Sequence, residues 1–176
     1  MRLASSKIII LVCLLMPGIG QAVDVNNYFG FATGYGIKHQ SDPANDLMDS
    51  GEKVYLGIRL FGHLGIEVAY YDLGRYDNET SDVTVVGASA VFSRDIRGMT
   101  IFAKAGLVEW REKDLASGAT LDDTDASYGI GINLAVDRHV LFRTELERFK
   151  NVGRNTATAD QGDDMSLFSF GVNFQF

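Results

Sequence analysis

Hydrophobic and polar residues alternate along this chain with a period of two, most clearly in its last stretch. Phe168, Phe170, Val172, Phe174 and Phe176 fall on one parity, and Ser169, Gly171, Asn173 and Gln175 on the other. Successive side chains of an extended strand point to opposite faces, so this spacing predicts a strand. One aromatic face and one small, polar face suit a wall with lipid outside and a polar lumen inside. Taken alone, the same stretch would also serve as the last strand of a soluble sandwich or lipocalin-like barrel.

Seven further segments repeat the pattern. They are read at 27–38, 53–61, 65–73, 83–93, 100–111, 126–136 and 140–149, with the final one at 165–176. In the sixth, Tyr128, Ile130, Ile132 and Leu134 oppose Gly129, Gly131, Asn133 and Ala135. In the fourth, Val85, Val86, Ala88, Ala90 and Phe92 leave the parity open. The connections alternate in length. Residues 62–64, 94–99 and 137–139 make short turns, whereas 40–52, 74–82, 112–125 and 150–164 are long and polar. Short turns at one end and long loops at the other predict an all-β fold: an eight-stranded antiparallel up-and-down transmembrane β-barrel with the long loops outside the cell. Acidic residues concentrate in the long loops, and Arg94, Arg97, Arg138, His63 and His139 in the short turns, which separates two ends rather than two domains.

Composition narrows the choice. Past the first turns of the chain, no run approaches the roughly 20 apolar residues of a spanning helix, so a membrane-embedded form must be a closed barrel. A net charge of −7 argues against a nucleic-acid partner. Residues 1–22 have the three parts of a secretory signal: Arg2 and Lys7, an apolar run over 8–16, and small residues at Gly20 and Ala22. Cleavage there leaves a barrel domain at 23–176 without cysteine, because Cys13 lies in the leader.

Several strands resemble the transmembrane barrel of the outer membrane protein A superfamily. The stretch Gly-Ile-Glu-Val-Ala-Tyr-Tyr-Asp-Leu-Gly-Arg at 65–75 is similar to that family's third strand, and Phe-Ala-Lys-Ala-Gly-Leu-Val-Glu-Trp at 102–110 to its fifth. Arg-Thr-Glu-Leu-Glu at 143–147 is similar to the seventh, and Ser-Phe-Gly-Val-Asn-Phe-Gln-Phe at 169–176 to the eighth. The resemblance implies a monomeric barrel in the outer membrane of a Gram-negative bacterium, with both termini periplasmic. Because the sequence stops at the barrel, it looks closer to the OmpX-like stand-alone relatives than to members with a peptidoglycan-binding domain. The resemblance also implies that the aromatic end of the closing strand, Phe176, is read by the outer-membrane assembly machinery.

Eight strands make a barrel just wide enough to be filled by side chains. The lumen-facing charges expected from parity are Arg59, Glu67, Lys104, Arg143, Glu145 and Glu147, and buried charges must pair. Glu67 and Lys104 occupy positions where the family carries interior charges. Asn133 and Ala90 stand where it is usually charged, with Arg59 and Arg143 as compensating residues. Asp122, Asp123 and Asp125 form the densest acidic cluster, expected in a solvated loop and only a weak candidate for a metal. The spacing of His39, His63 and His139 suggests no nucleophile–base pairing. His39 is read as lying alone at a loop start.

The expected function is a non-enzymatic outer-membrane barrel without cofactor. It is embedded among outer-membrane lipid and lipopolysaccharide, supports the envelope, and presents acidic loops to an extracellular ligand. A narrow channel for small solutes is the alternative, and a lipid A-modifying enzyme a more distant one.

Overall fold

The computed structural model describes residues 26–39, 46–60, 62–76, 81–153 and 162–176. The leader expected at 1–22 and the segments 40–45, 77–80 and 154–161 lie outside them. Eight strands run in chain order: β1 (Asn26–His39), β2 (Leu47–Leu60), β3 (Leu64–Tyr76), β4 (Ser81–Ile96), β5 (Met99–Asp114), β6 (Thr120–Ala135), β7 (Val140–Val152) and β8 (Asp163–Gln175). Each pairs antiparallel with its neighbours, and β8 pairs with β1 to close the barrel. At the seam, Phe176 and Asn27 exchange backbone hydrogen bonds of 3.0 and 3.2 Å. Closure leaves no unpaired edge, which is the condition for strands to cross a bilayer.

The alternation sorts the faces as the pattern predicts. Phe29, Phe31, Tyr35, Ile66, Tyr70, Leu107, Ile130 and Phe168 are exposed on the outside, whereas their sequence neighbours point into the lumen. The ambiguous fourth strand is settled by its register with β5. Val83, Val85, Ser89, Val91 and Ser93 are buried, and Ala88, Ala90 and Phe92 are outside.

The strands are longer than their apolar parts. The expected loop at 112–125 is instead a continuation of β5 and β6, with Arg111 opposite Asp122 and Lys113 opposite Thr120, closed by a turn at 115–119. Backbone pairing does not require apolar side chains, so the ladder outlasts the hydrophobic signal. β5, with 16 residues, reaches about 40 Å at the usual tilt, against an apolar band of about 25 Å. The excess stands out at the long-loop end. At the other end, the expected connection at 94–99 shrinks to Arg97 and Gly98. Both have positive φ (49° and 84°), as a two-residue hairpin turn of primed type requires.

Two irregularities change which side chains enter the lumen. The register of β3 shifts between Asp72 and Arg75 at Gly74, and that of β7 between Phe149 and Val152 at Asn151. Each shift inverts the parity beyond it. Tyr76 thereby joins Leu73 inside, and Val152 joins Phe149; all four are essentially inaccessible.

Candidate functional site

The lumen is filled in three tiers. Toward the long-loop end lies an apolar plug of Leu73, Tyr76, Val83, Trp110, Phe149, Val152, Met165 and Leu167, each 2% exposed or less. The indole N–H of Trp110 donates to Asp125 Oδ2 at 3.3 Å. Above the plug, Lys38 Nζ lies 3.3 Å from Glu112 Oε1, which also accepts from the Ser81 hydroxyl.

The middle tier is ionic. Three cations, Lys53, Lys104 and Arg143, face three carboxylates, Glu67, Glu145 and Glu147, all buried. Arg143 donates from Nη1 to Glu67 Oε2 at 2.7 Å and from Nε to Glu145 Oε2 at 2.9 Å. Its guanidinium lies between the rings of Tyr55 and Phe102, at 4.4 and 4.2 Å from their centroids. Lys104 Nζ reaches Glu67 at 3.1 Å and Glu145 at 2.7 Å, and also contacts Glu147. Lys53 Nζ reaches Glu145 at 2.7 Å and Glu147 at 2.9 Å. The Tyr28 and Tyr71 hydroxyls donate to Glu67 and Glu147, at 3.0 and 2.6 Å. Equal charge and near-complete hydrogen bonding let this tier exist in a low-dielectric interior, where an unpaired ion costs several kcal/mol (about 3–5 when a partner is lost). Glycines directly opposite on the neighbouring strand make room for the rings. A Cβ on Gly57 would lie 2.1 Å from the Tyr28 ring, and one on Gly30 2.3 Å from that of Tyr55.

The tier nearest the short turns is a small polar cavity. Arg59, Ser93, Asn133, Asn173 and Gln175 line it, with Tyr28 and Phe102 beside the ionic tier.

Five of the six charges expected inside meet in the ionic tier. Arg59 does not: it lies near the short-turn rim, 3.5 Å from Asp95, because its place on β2 is below Gly57 and far from the mid-lumen level. Lys53, which sequence reasoning missed, takes part instead. Its parity with Tyr55 and Gly57 was the available signal, but it sits where the apolar run of β2 begins. Asp122, Asp123 and Asp125 lie on β6 and not in a loop. Asp122 points outward and the other two share the opposite parity, so alternation separates them. Among the described residues, no group of three or more His, Cys, Asp or Glu is arranged to hold a metal ion.

His39 is not alone. At the long-loop end, on the outer face, its Nδ1 is 3.0 Å from Asp46 Oδ2 and its Nε2 is 2.9 Å from Ser166 Oγ. His63 and His139 lie in the exposed short turns. The outer surface near the same end also carries Glu52 and Asp72 directly opposite each other on β2 and β3, with Asp82 nearby on β4. There the N–H groups of Arg75 and Ser50 donate to Asp49 at 2.5 and 2.7 Å. The Arg75 bond foremost holds that carboxyl below the usual range. Phe176 is exposed on the outside, with its ring 6.3 Å from that of Phe29.

The profile of the OmpA-like transmembrane domain matches residues 22–176. The chain belongs to that family. Its members are outer-membrane β-barrels, and this is one. Neisserial surface protein A superposes with a TM-score of 0.69 at 19% identity, over 85% of this chain and 97% of that one. The N-terminal barrel of OprF from Pseudomonas aeruginosa gives 0.61 at 14%, over 89% and 100%. The attachment invasion locus protein Ail of Yersinia pestis, solved with the heparin analogue sucrose octasulfate, gives 0.56 at 12%, over 86% and 99%. At these identities the superpositions speak for the fold alone. Comparison with curated proteins gave no match.

Within this OmpA-like barrel, one expected family position is corrected. Ala90, taken as the counterpart of an interior charge, faces outward, and the inward residues beside it are Ser89 and Val91. Asn133 does face inward, opposite Arg143 on β7.

Proposed function

We propose that this OmpA-like barrel is a sealed scaffold. It holds its long-loop end outside the cell, with both termini on the periplasmic side. It supports the outer membrane mechanically and offers an acidic rim to extracellular material. The observation that carries this reading is the apolar plug stacked on the ionic tier. Neither tier supplies a water-lined path, which weighs against the channel alternative. The scaffold role calls on no chemistry of the chain's own.

The rim supports a partner of basic character. Asp49, Glu52, Asp72 and Asp82 outnumber Arg75, the cation that lines the same pocket opposite Asp82, and Glu52 and Asp72 stand directly opposite each other, so the patch keeps negative charge for a cationic group. The sulfated ligand in the Ail structure is of the opposite charge, so that recognition does not transfer.

An epitope inserted between Ser117 and Gly118, in the β5–β6 turn, tests the orientation. Antibody should label it on intact cells. Labelling only after permeabilisation would reverse the assignment of the two ends. Replacing Glu52, Asp72 and Asp82 by their amides should lower cell adhesion to basic matrix proteins without lowering barrel yield. Unchanged adhesion would remove the rim from the account.

A further inference from the structure

We propose that Asp46, His39 and Ser166 form a serine hydrolase site that cleaves ester-linked acyl chains of phosphate-bearing lipid in the leaflet at the long-loop end. This goes beyond the scaffold reading and does not depend on which end faces outward.

The geometry is that of an acid–base–nucleophile relay. Asp46 Oδ2 lies 3.0 Å from His39 Nδ1, and His39 Nε2 lies 2.9 Å from Ser166 Oγ. Both contacts fall within the range at which a carboxylate orients an imidazole and the imidazole takes a hydroxyl proton. The carboxylate fixes the tautomer with hydrogen on Nδ1, leaving the Nε2 lone pair toward the serine. The three residues come from β1, the start of the described stretch before β2, and β8, so barrel closure creates the constellation.

Position gives the substrate class. Ser166 has the outward parity of β8, one step beyond Phe168 and Phe170, which are exposed on the lipid side. Across the ladder on one side is Ile37, followed by Tyr35; on the other is Arg148. Ser166 thus stands at the boundary where the apolar wall gives way to polar side chains, only 8% exposed and with its hydroxyl against His39. An acyl chain lying along Tyr35 and Phe168 would bring its ester carbonyl to that level. Arg148, 37% exposed, and Lys150, 40% exposed, share Asp164 at 3.0 and 2.5 Å. Asp46 and Asp164 balance these two cations, and the Arg148 guanidinium, opposite Ser166 on β7, is the group placed for the lipid phosphate.

The chemistry balances with water as co-reactant. Ser166 Oγ adds to the ester carbonyl as His39 Nε2 takes its proton. The carbon–oxygen bond to the lipid alcohol breaks, and His39 returns the proton to that alcohol. Water then adds to the acyl-serine, its proton again passing through His39, and the free fatty acid leaves.

The test uses the full barrel folded into two kinds of vesicle, phospholipid alone and phospholipid with lipid A. Released fatty acid is measured by mass spectrometry, and Ser166 is probed with a fluorophosphonate. Heat-modifiable migration verifies folding of every variant. The expected result is release from at least one vesicle type, which also identifies the lipid. An adduct should form on Ser166, and turnover should fall by roughly 10³-fold in Ser166→Ala and His39→Gln. Asp46→Asn should lower turnover while leaving the barrel folded. No release from either vesicle by folded protein, or equal release by Ser166→Ala, overturns the proposal. An adduct without lipid turnover overturns the substrate assignment. The epitope experiment above has an independent outcome, so either reading can fail without the other.

Discussion

Lys53 Nζ lies 2.7 Å from Glu145 Oε2, although 92 residues separate the two in sequence. The contact spans the lumen from β2 to β7 and makes Lys53 one of the three cations that balance Glu67, Glu145 and Glu147. With both side chains about 1% exposed or less, neither ion has water to fall back on.

Replacing Lys53 by Met should therefore destabilise the barrel by about 3–5 kcal/mol, because it strands a buried carboxylate. The pair Lys53→Met and Glu145→Gln should cost less than the sum of the single changes. Urea titration in lipid vesicles measures both. An additive cycle would show that the two residues do not interact.

The outer wall gives a prediction of opposite character. Ile132 shares the outward parity of Ile130 and Leu134 on β6. Ile132→Arg should cost about 2–4 kcal/mol if the residue lies near mid-bilayer. At the next residue, Gly131→Val should act through the lumen instead, since a Cβ there would lie 2.4 Å from the Phe102 ring. Lipid dependence separates them: thinning the bilayer should relieve only the arginine variant.

Ring accommodation offers a third test. Gly57→Val would push against the Tyr28 ring, whose hydroxyl is held by Glu67. Overpacking of this kind costs about 1–3 kcal/mol. Combining it with Tyr28→Ala should cost less than the separate changes suggest. No coupling between them would mean that the two positions do not meet across the β1–β2 ladder.

Much of the architecture was legible because one physical rule, alternation between lipid and lumen, governs every strand. The rule failed where side chains carry no contrast. Val85 and Val86 are both apolar, so only the β4–β5 register shows that Val85 enters and Ala90 leaves. It also failed beyond the membrane, where Arg111 and Asp122 continue a ladder that needs only backbone groups. The ionic tier was half visible: parity turns Glu67, Lys104 and Arg143 inward, but height along the axis decides partners. Height excludes Arg59 and admits Lys53. The relay of Asp46, His39 and Ser166 was invisible for another reason. His39 and Ser166 are 127 residues apart and meet only because β8 closes on β1.

The central claim is that the lumen is sealed, and ion conductance across a planar bilayer tests it most directly. The purified, folded barrel should leave the membrane at its protein-free conductance, before and after salt is raised, because the plug around Trp110 and Phe149 lies in series with the paired charges. Steady, ohmic conductance proportional to inserted protein would contradict the sealed scaffold and establish the channel in its place.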